Sequence, residues 1–315
     1  MEEGVDGLLR DKTSPPGRKP LSAAMKRKVL SKTALETPPN ATHLRVRSMA
    51  REVGIRHTSA QRIWAETGLN PHLVARFKIS NDPNFEEIVT YIVGFFMNTP
   101  DRALVLCVDE KSQIQALNRT QPGLPLKKGR CGTLTHDYKR HGTTTLFAAL
   151  EVVQGKVVGQ CQQRHRNQEF LKFLATLDQE FPGEVPLHLV LDNYGSHKHP
   201  NVQAWLERHP RFICHFVPTS CSWLNLIERW FGELTSKRVR RGSFFSVGEL
   251  QQAIQEFLAA WNEAPRPFVW SATVTSIMTK LARCRQTLEQ SNPGAPSPET
   301  EKTSVECQFN WWTPY

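Results

Sequence analysis

Two short apolar runs constrain this chain more than any other feature in it. ALVLCV (103–108) and LHLVL (187–191) lack the regular polar alternation of a strand with one wet face. Runs of that kind suit strands covered by helices on both faces, at the centre of an α/β sheet. Each run is followed at once by an aspartate, Asp109 and Asp192. The carboxyl ends of such strands are where open α/β sheets collect their chemistry.

The segments around them complete a mixed α/β pattern. Thr143 to Val153 and Lys156 to Gln160 read as a hairpin turning at Gln154-Gly155. Phe170, Leu171, Phe173, Leu174, Leu177 and Phe181 mark an amphipathic helix, Val202 to Arg208 another, and Phe212 to Val217 a strand. A helix follows in PTSCSWLNLIERWFGEL (218–234), and one more spans Val247 to Trp261. The order is β-β-β-α-β-α-β-α.

In the 218–234 stretch, Leu224, Ile227, Phe231 and Leu234 recur at helical spacing. Glu228 lies about 40° around such a helix from Leu224 and about 60° from Phe231. A carboxylate on a buried face is costly unless something pairs with it. Glu228 also follows Asp192 by 36 positions, after a helix, a strand and a turn have returned the chain to the same sheet edge. Three converging carboxylates repel one another, and a hard divalent cation removes the repulsion. Two such ions about 4 Å apart activate an attacking oxygen and stabilise a leaving one at phosphorus. Each acid has an ordinary reading beside this one. An Asp at a strand end can cap a helix or form a turn, and Glu228 can reach solvent or pair with Arg229.

The excess of 40 Lys and Arg over 30 Asp and Glu favours an anionic partner. It is concentrated early: Arg10 to Lys78 holds 15 basic residues against four acids. Within it, HLRVRSMAREVGIRHTSAQRIWAETGLNPH fits a helix-turn-helix. Ala50 is small at the helix contact, Gly54 stands at the turn, and Met49, Val53, Ile55, Ala60 and Ile63 form the core. The second helix then turns Thr58, Ser59, Gln61 and Arg62 outward, side chains suited to base edges and phosphates; Arg47 belongs to the same basic module. Seven cysteines without C-x-x-C argue against a zinc ribbon or disulfide framework and for a reducing, cytoplasmic setting. The most apolar window, Ile88 to Met97, is too short to span a bilayer, so no membrane association is expected.

The domains expected are a basic, proline-containing linker with at most a short helix (1–43), the helix-turn-helix (44–78), a connecting helix (79–100), the catalytic domain (101–288) and a disordered tail (289–315).

VDEKSQIQAL around Asp109, LDNYGSHKHP around Asp192 and SWLNLIERWF around Glu228 together resemble the DDE transposases of the mariner superfamily, in particular the bacterial insertion sequence 630 family. The resemblance runs from about Gly7 to about Leu288. It implies an RNase H-like catalytic domain, metal ligation by Asp109, Asp192 and Glu228, and two Mg²⁺ per site with Mn²⁺ as substitute. It implies supporting roles for Asn193, His197 and Asn225, and DNA-backbone contacts from Lys127, Lys128, Arg130, Lys139 and Arg140. The partners implied are double-stranded DNA, as inverted-repeat ends and a TA target, and a second copy of the chain on that DNA. Members usually begin with a further helix-turn-helix, which is expected to be missing here. The rival readings are a catalytically defective or domesticated DNA-binding protein and a simple RNase H-like nuclease.

Overall fold

The computed structural model describes residues 20–291 except 40, 74–79, 81, 101, 122, 126, 130 and 134. Arg130, the first part of the expected linker and nearly all of the expected tail lie outside the described residues. The chain divides into two compact units between residues 75 and 76.

The first unit holds α1 (Ala23–Leu35), α2 (Val46–Val53) and α3 (His57–Thr67). The α2–α3 pair is the expected helix-turn-helix geometry. Gly54 adopts φ +71°, a left-handed conformation that glycine reaches without strain, and the Ile55 N–H donates to the Ala50 carbonyl at 2.9 Å. Ala50 is buried, with Met49, Val53, Ala60 and Ile63 around it. The linker reading needs correction, because α1 is longer than expected and belongs to this core. Val29 is fully buried among the same residues, and the Trp64 Nε1–H donates to Thr33 Oγ1 at 2.9 Å. Only a thin apolar stripe, Met25 and Val29 at i,i+4, marks α1 in an otherwise basic segment.

In the second unit, α4 (Phe85–Met97) precedes β1 (Leu104–Arg119), β2 (Tyr138–Glu151) and β3 (Val157–Gln162). Then come α5 (Asn167–Glu180), β4 (Leu187–Leu191), α6 (Pro200–Arg208) and β5 (Phe212–Phe216). The sheet order is β3-β2-β1-β4-β5, with β1, β4 and β5 parallel and β2 antiparallel to both β1 and β3. Leu106, Val108, Leu189 and Leu191 face α5 and α6, while Val105, Cys107 and Val190 face the opposite helical layer. Both apolar runs are therefore buried from two sides, which is why neither alternates. α4 is no connector, since Val89, Ile92 and Val93 are buried in the same core as Val105 and Cys107. A helix apolar on most sides is covered by its own domain.

β1 continues past the sheet core to Arg119 and β2 starts at Tyr138, so their far ends form a two-stranded ribbon whose β2 half is exposed. Gln113, at φ +52°, lies where the pairing shifts register. The hairpin turn is fixed by Glu151, whose carboxylate accepts the Val153 and Gln154 N–H groups at 3.0 and 2.5 Å.

After β5 the chain does not form one continuous helix. A 3-10 turn (Ser222–Leu224) comes first, then α7 (Ile227–Leu234), then a π turn (Thr235–Val239). α8 (Val247–Glu263) and α9 (Val274–Ser291) close the helical layer. The last had no sequence expectation and runs through the proposed boundary at 288; Ile277 and Leu281 anchor it in the core.

Candidate active site

Asp109 stands on β1 on the face covered by α7 and is 7% exposed. Burial pushes its carboxyl well above the usual carboxylate range, and the charges of Glu228, Asp192 and Glu110 push it further. Three separate segments thus bring acids close enough for Asp109 to feel the other two of the expected set. The expectation of three buried carboxylates is corrected in part. Asp192, one residue beyond β4, is half-buried, and Glu228 is exposed. The apolar stripe that seemed to carry Glu228 is broken, since Leu224 lies in the 3-10 turn and α7 begins only at Ile227. Glu228 is the second residue of α7, where the helix dipole favours an acid. It needs no buried partner to be tolerated there.

The three residues expected in support all act on the scaffold. Asn225 is 1% exposed, and its Nδ2 donates to the Val108 carbonyl at 2.8 Å, pinning the entry to α7 against the strand just before Asp109. The Asn193 Nδ2 donates to the Val217 carbonyl at 2.9 Å, joining the segment after β4 to the end of β5. His197 is buried, with Nδ1 3.0 Å from Asp192 Oδ1 and Nε2 3.3 Å from Glu110 Oε2. Burial alone would lower the imidazole pKa, but hydrogen bonding and charge from Asp192 and Glu110 outweigh it and hold His197 up to about 9. Phe170 packs on the ring at a centroid distance of 4.4 Å. The Tyr194 N–H donates to Asp192 Oδ1 at 3.1 Å, fixing the same carboxylate from another side.

Glu110 is the residue that reading the sequence missed. Strand periodicity sends it to the opposite face from Asp109, under α5, where an acid needs a cation. The DE dipeptide directly after a buried apolar run was the available signal, but its partner His197 lies in another segment. Lys111 returns to the Asp109 face, with Nζ 5.8 Å from the centroid of the Phe231 ring on α7.

Of the expected DNA contacts, Arg47, Thr58, Gln61 and Arg62 are exposed on the first unit, while Ser59 is half-buried. Lys127, Lys128, Lys139 and Arg140 are exposed along or beyond the β1–β2 ribbon, Arg140 lying over the Tyr138 ring at 5.5 Å.

Residues 104–251 match the family described as DDE superfamily endonuclease. All three acids lie within the DDE match. The chain is 26% identical over 96 residues to the insertion element IS630 uncharacterized 39 kDa protein of Shigella sonnei, a match spanning 30% of this chain and 28% of that relative. Its fold is similar to that in the crystal structure of the Mos1 mariner paired end complex with Mn, with TM-score 0.55 and 14% identity, covering 90% of this chain and 84% of that one. The Mos1 strand transfer complex gives TM-score 0.54 at 14% identity over 89% and 81% of the two chains. The likeness establishes the fold. A mixed five-stranded sheet flanked by helices is the RNase H-like class expected from the sequence, with a helical region before it.

Proposed function

We propose that this chain is a DNA transposase that binds the inverted-repeat ends of its element, cuts them and joins them to a TA-containing target by cut-and-paste transfer. The observation that carries the reading is the charge coupling of Asp109, Asp192 and Glu228 at one edge of an RNase H-like sheet. The neighbouring folds named as a paired end complex with Mn and a strand transfer complex support extending it to DNA ends and a divalent ion.

Asp109, Asp192 and Glu228 would hold the metal, Mg²⁺ or Mn²⁺, two ions per site. The donor set fits a hard cation. All three donors are carboxylates, and burial with the neighbouring acids holds the Asp109 carboxyl well above the usual carboxylate range, which positive charge would counter. Among the described residues no three His, Cys, Asp or Glu side chains already stand as an ion-binding group, these three acids included; water and phosphate oxygens would complete the coordination. When bound, the metal supplies activation of the attacking oxygen and stabilisation of the leaving one.

The protein's own residues fix the geometry. His197 and the Tyr194 N–H orient Asp192, Asn193 holds the segment after β4, and Asn225 sets the approach of α7. Arg47, Thr58, Ser59, Gln61 and Arg62 contact the element ends. Lys127, Lys128, Arg130, Lys139 and Arg140 grip backbone phosphates, and a second copy of the chain assembles on the paired ends. Its working place is the bacterial cytoplasm, on DNA.

The test uses duplexes carrying candidate inverted repeats, with Mg²⁺ or Mn²⁺, and compares wild type with Glu228→Gln. Metal-dependent cutting and joining by wild type alone supports the proposal. Binding without cutting by both proteins makes the chain a DNA-binding protein with relic acids. Cutting without joining, indifferent to the ends supplied, makes it a simple nuclease.

A further inference from the structure

Beyond α7 the chain widens into a π turn and then bends sharply, SKRVRRGSFF (236–245), with four basic residues in it. The Arg240 N–H donates to the Thr235 carbonyl at 2.7 Å, closing the wider π-helical ring. The bend after it is held from three directions. The Phe244 N–H donates to the Leu117 carbonyl at 2.8 Å, the Arg119 N–H to Ser243 Oγ at 3.1 Å, and Ser243 Oγ–H to Asn118 Oδ1 at 3.0 Å. Gly242 has no room for a side chain, since a Cβ there would lie 2.3 Å from the Phe244 ring and 2.8 Å from the Arg238 carbonyl. This bend is locked to the base of the ribbon.

The surrounding charges are already engaged. Glu233 pairs with Lys237 at 2.8 Å and Glu256 with Arg238 at 2.5 Å, while Glu249 accepts the Phe245 N–H at 2.8 Å. Beneath the bend, Arg238, Gly242, Ser243, Phe244 and the two engaged acids Glu249 and Glu256 line an open groove of about 350 Å³. Arg240 and Arg241 are exposed and have no carboxylate partner among the described residues. Two arginines carried on a backbone held in place and left without a carboxylate partner among the described residues offer their guanidinium groups to an anion outside the protein.

Two rulers give their distance from the acids. Twelve residues of helix from Glu228 to Arg240 rise roughly 18 Å. Eight residues of strand from Asp109 to Leu117, which bonds the bend, span roughly 26 Å. At about 3.4 Å per phosphate along one strand of DNA, that is about five to eight nucleotides.

We propose that Arg240 and Arg241 form a second phosphate-contact site on the catalytic unit, gripping the backbone of the duplex about five to eight nucleotides from the bond that is cut. The proposal rests on the reading of the chain as a DNA-cutting enzyme and adds the place where its catalytic unit holds the flank. Such contacts carry no sequence preference; they position the duplex and release counterions.

The experiment is equilibrium binding of the full chain to a labelled duplex across a series of KCl concentrations, without metal. It compares wild type, the double variant Arg240→Ala/Arg241→Ala, the double variant Arg240→Lys/Arg241→Lys, and Arg208→Ala as an exposed control. The alanine pair should make the slope of log K against log salt shallower by about 2, at roughly 0.9 per phosphate contact. The lysine pair and the control should keep the wild-type slope. On a duplex truncated to three base pairs on each side of the candidate cut, wild type and the alanine pair should bind alike. An unchanged slope in the alanine pair, or an equal deficit on the truncated duplex, overturns the proposal. The readout is binding, so this result stands apart from the cutting assay with Glu228→Gln.

Discussion

His197 makes the stability of the catalytic unit fall as solution turns alkaline, and the size of the fall follows from its surroundings. Its imidazole is held up to about 9 in the fold, against an ordinary 6.5. The folded state therefore keeps a proton that the unfolded chain releases first as pH rises. The stabilisation is fully present below about pH 6.5 and is lost as pH climbs through 9. The whole effect is about 3 kcal/mol, of which about 2 kcal/mol disappears between pH 6.5 and about 8.5. Stopping there matters, because burial raises the Cys107 thiol to about 12 and the Cys161 and Cys214 thiols to about 11. Their unfolded counterparts ionise near 9.0 and would drain stability beyond that point. The assay is urea unfolding in metal-free buffer across this window, followed by a signal from the second unit. A loss of about 2 kcal/mol corresponds to roughly 4–8 °C in Tm for a unit of this size. His197→Gln should give a shallower profile than wild type, the residual slope belonging to the raised Asp109 carboxyl. Glu110→Gln should give a shallower one, with one of the two carboxylates gone. A flat wild-type profile, or an undiminished slope in His197→Gln, would refute the reasoning.

On the acid side the sign reverses at the other end of the sheet. Burial and the charge of His188 hold His215 down to about 4, so stability declines as pH falls from 6.5 through 4; the difference between wild type and His215→Gln in acid unfolding measures this contribution free of the carboxylates common to both. Asn225→Ala leaves the buried Val108 carbonyl without its donor, costing about 1–3 kcal/mol by urea unfolding and abolishing cutting through misplacement of α7. Gly155 has φ +75°, and a Cβ there would meet the Arg266 carbonyl carbon at 2.4 Å, so Gly155→Ala should cost about 2 kcal/mol or more and lower the Tm of the second unit alone. Trp64→Phe removes the donor to Thr33, lowering the stability of the first unit by about 1 kcal/mol while the second melts unchanged.

What the sequence made legible depended on how local each cause was. β1 and β4 could be read because burial on two faces erases alternation within five or six residues, and Asp192 could be read as a strand-end acid for the same local reason, whereas Asp109 lies within β1, which runs on to Arg119 in the ribbon. The role of α4 was harder. Its apolar character was visible in IVTYIVGFFM, but its burial against Val105 and Cys107 depends on the sheet's layering. α1 showed too thin a stripe to outweigh the prolines around it. The stripe through Glu228 misled because periodicity was counted across a break at Asn225. That break is stabilised by a hydrogen bond to Val108, 117 positions away in the sequence, which no window can contain.

The tethers explain how three like charges can be gathered at all. Left to their own repulsion, Asp109, Asp192 and Glu228 would separate. Asp192 is held by an imidazolium and a backbone N–H, and its segment by Asn193. The helix bearing Glu228 is held at its entry by Asn225, and Asp109 is fixed by the sheet itself. The cost of convergence is carried by contacts to Asp192 itself and by hydrogen bonds that hold the segments beside the acids. A scaffold that holds repelling ligands apart from direct mutual contact leaves them short of positive charge, and that deficit is what a divalent cation and a phosphate chain can satisfy together.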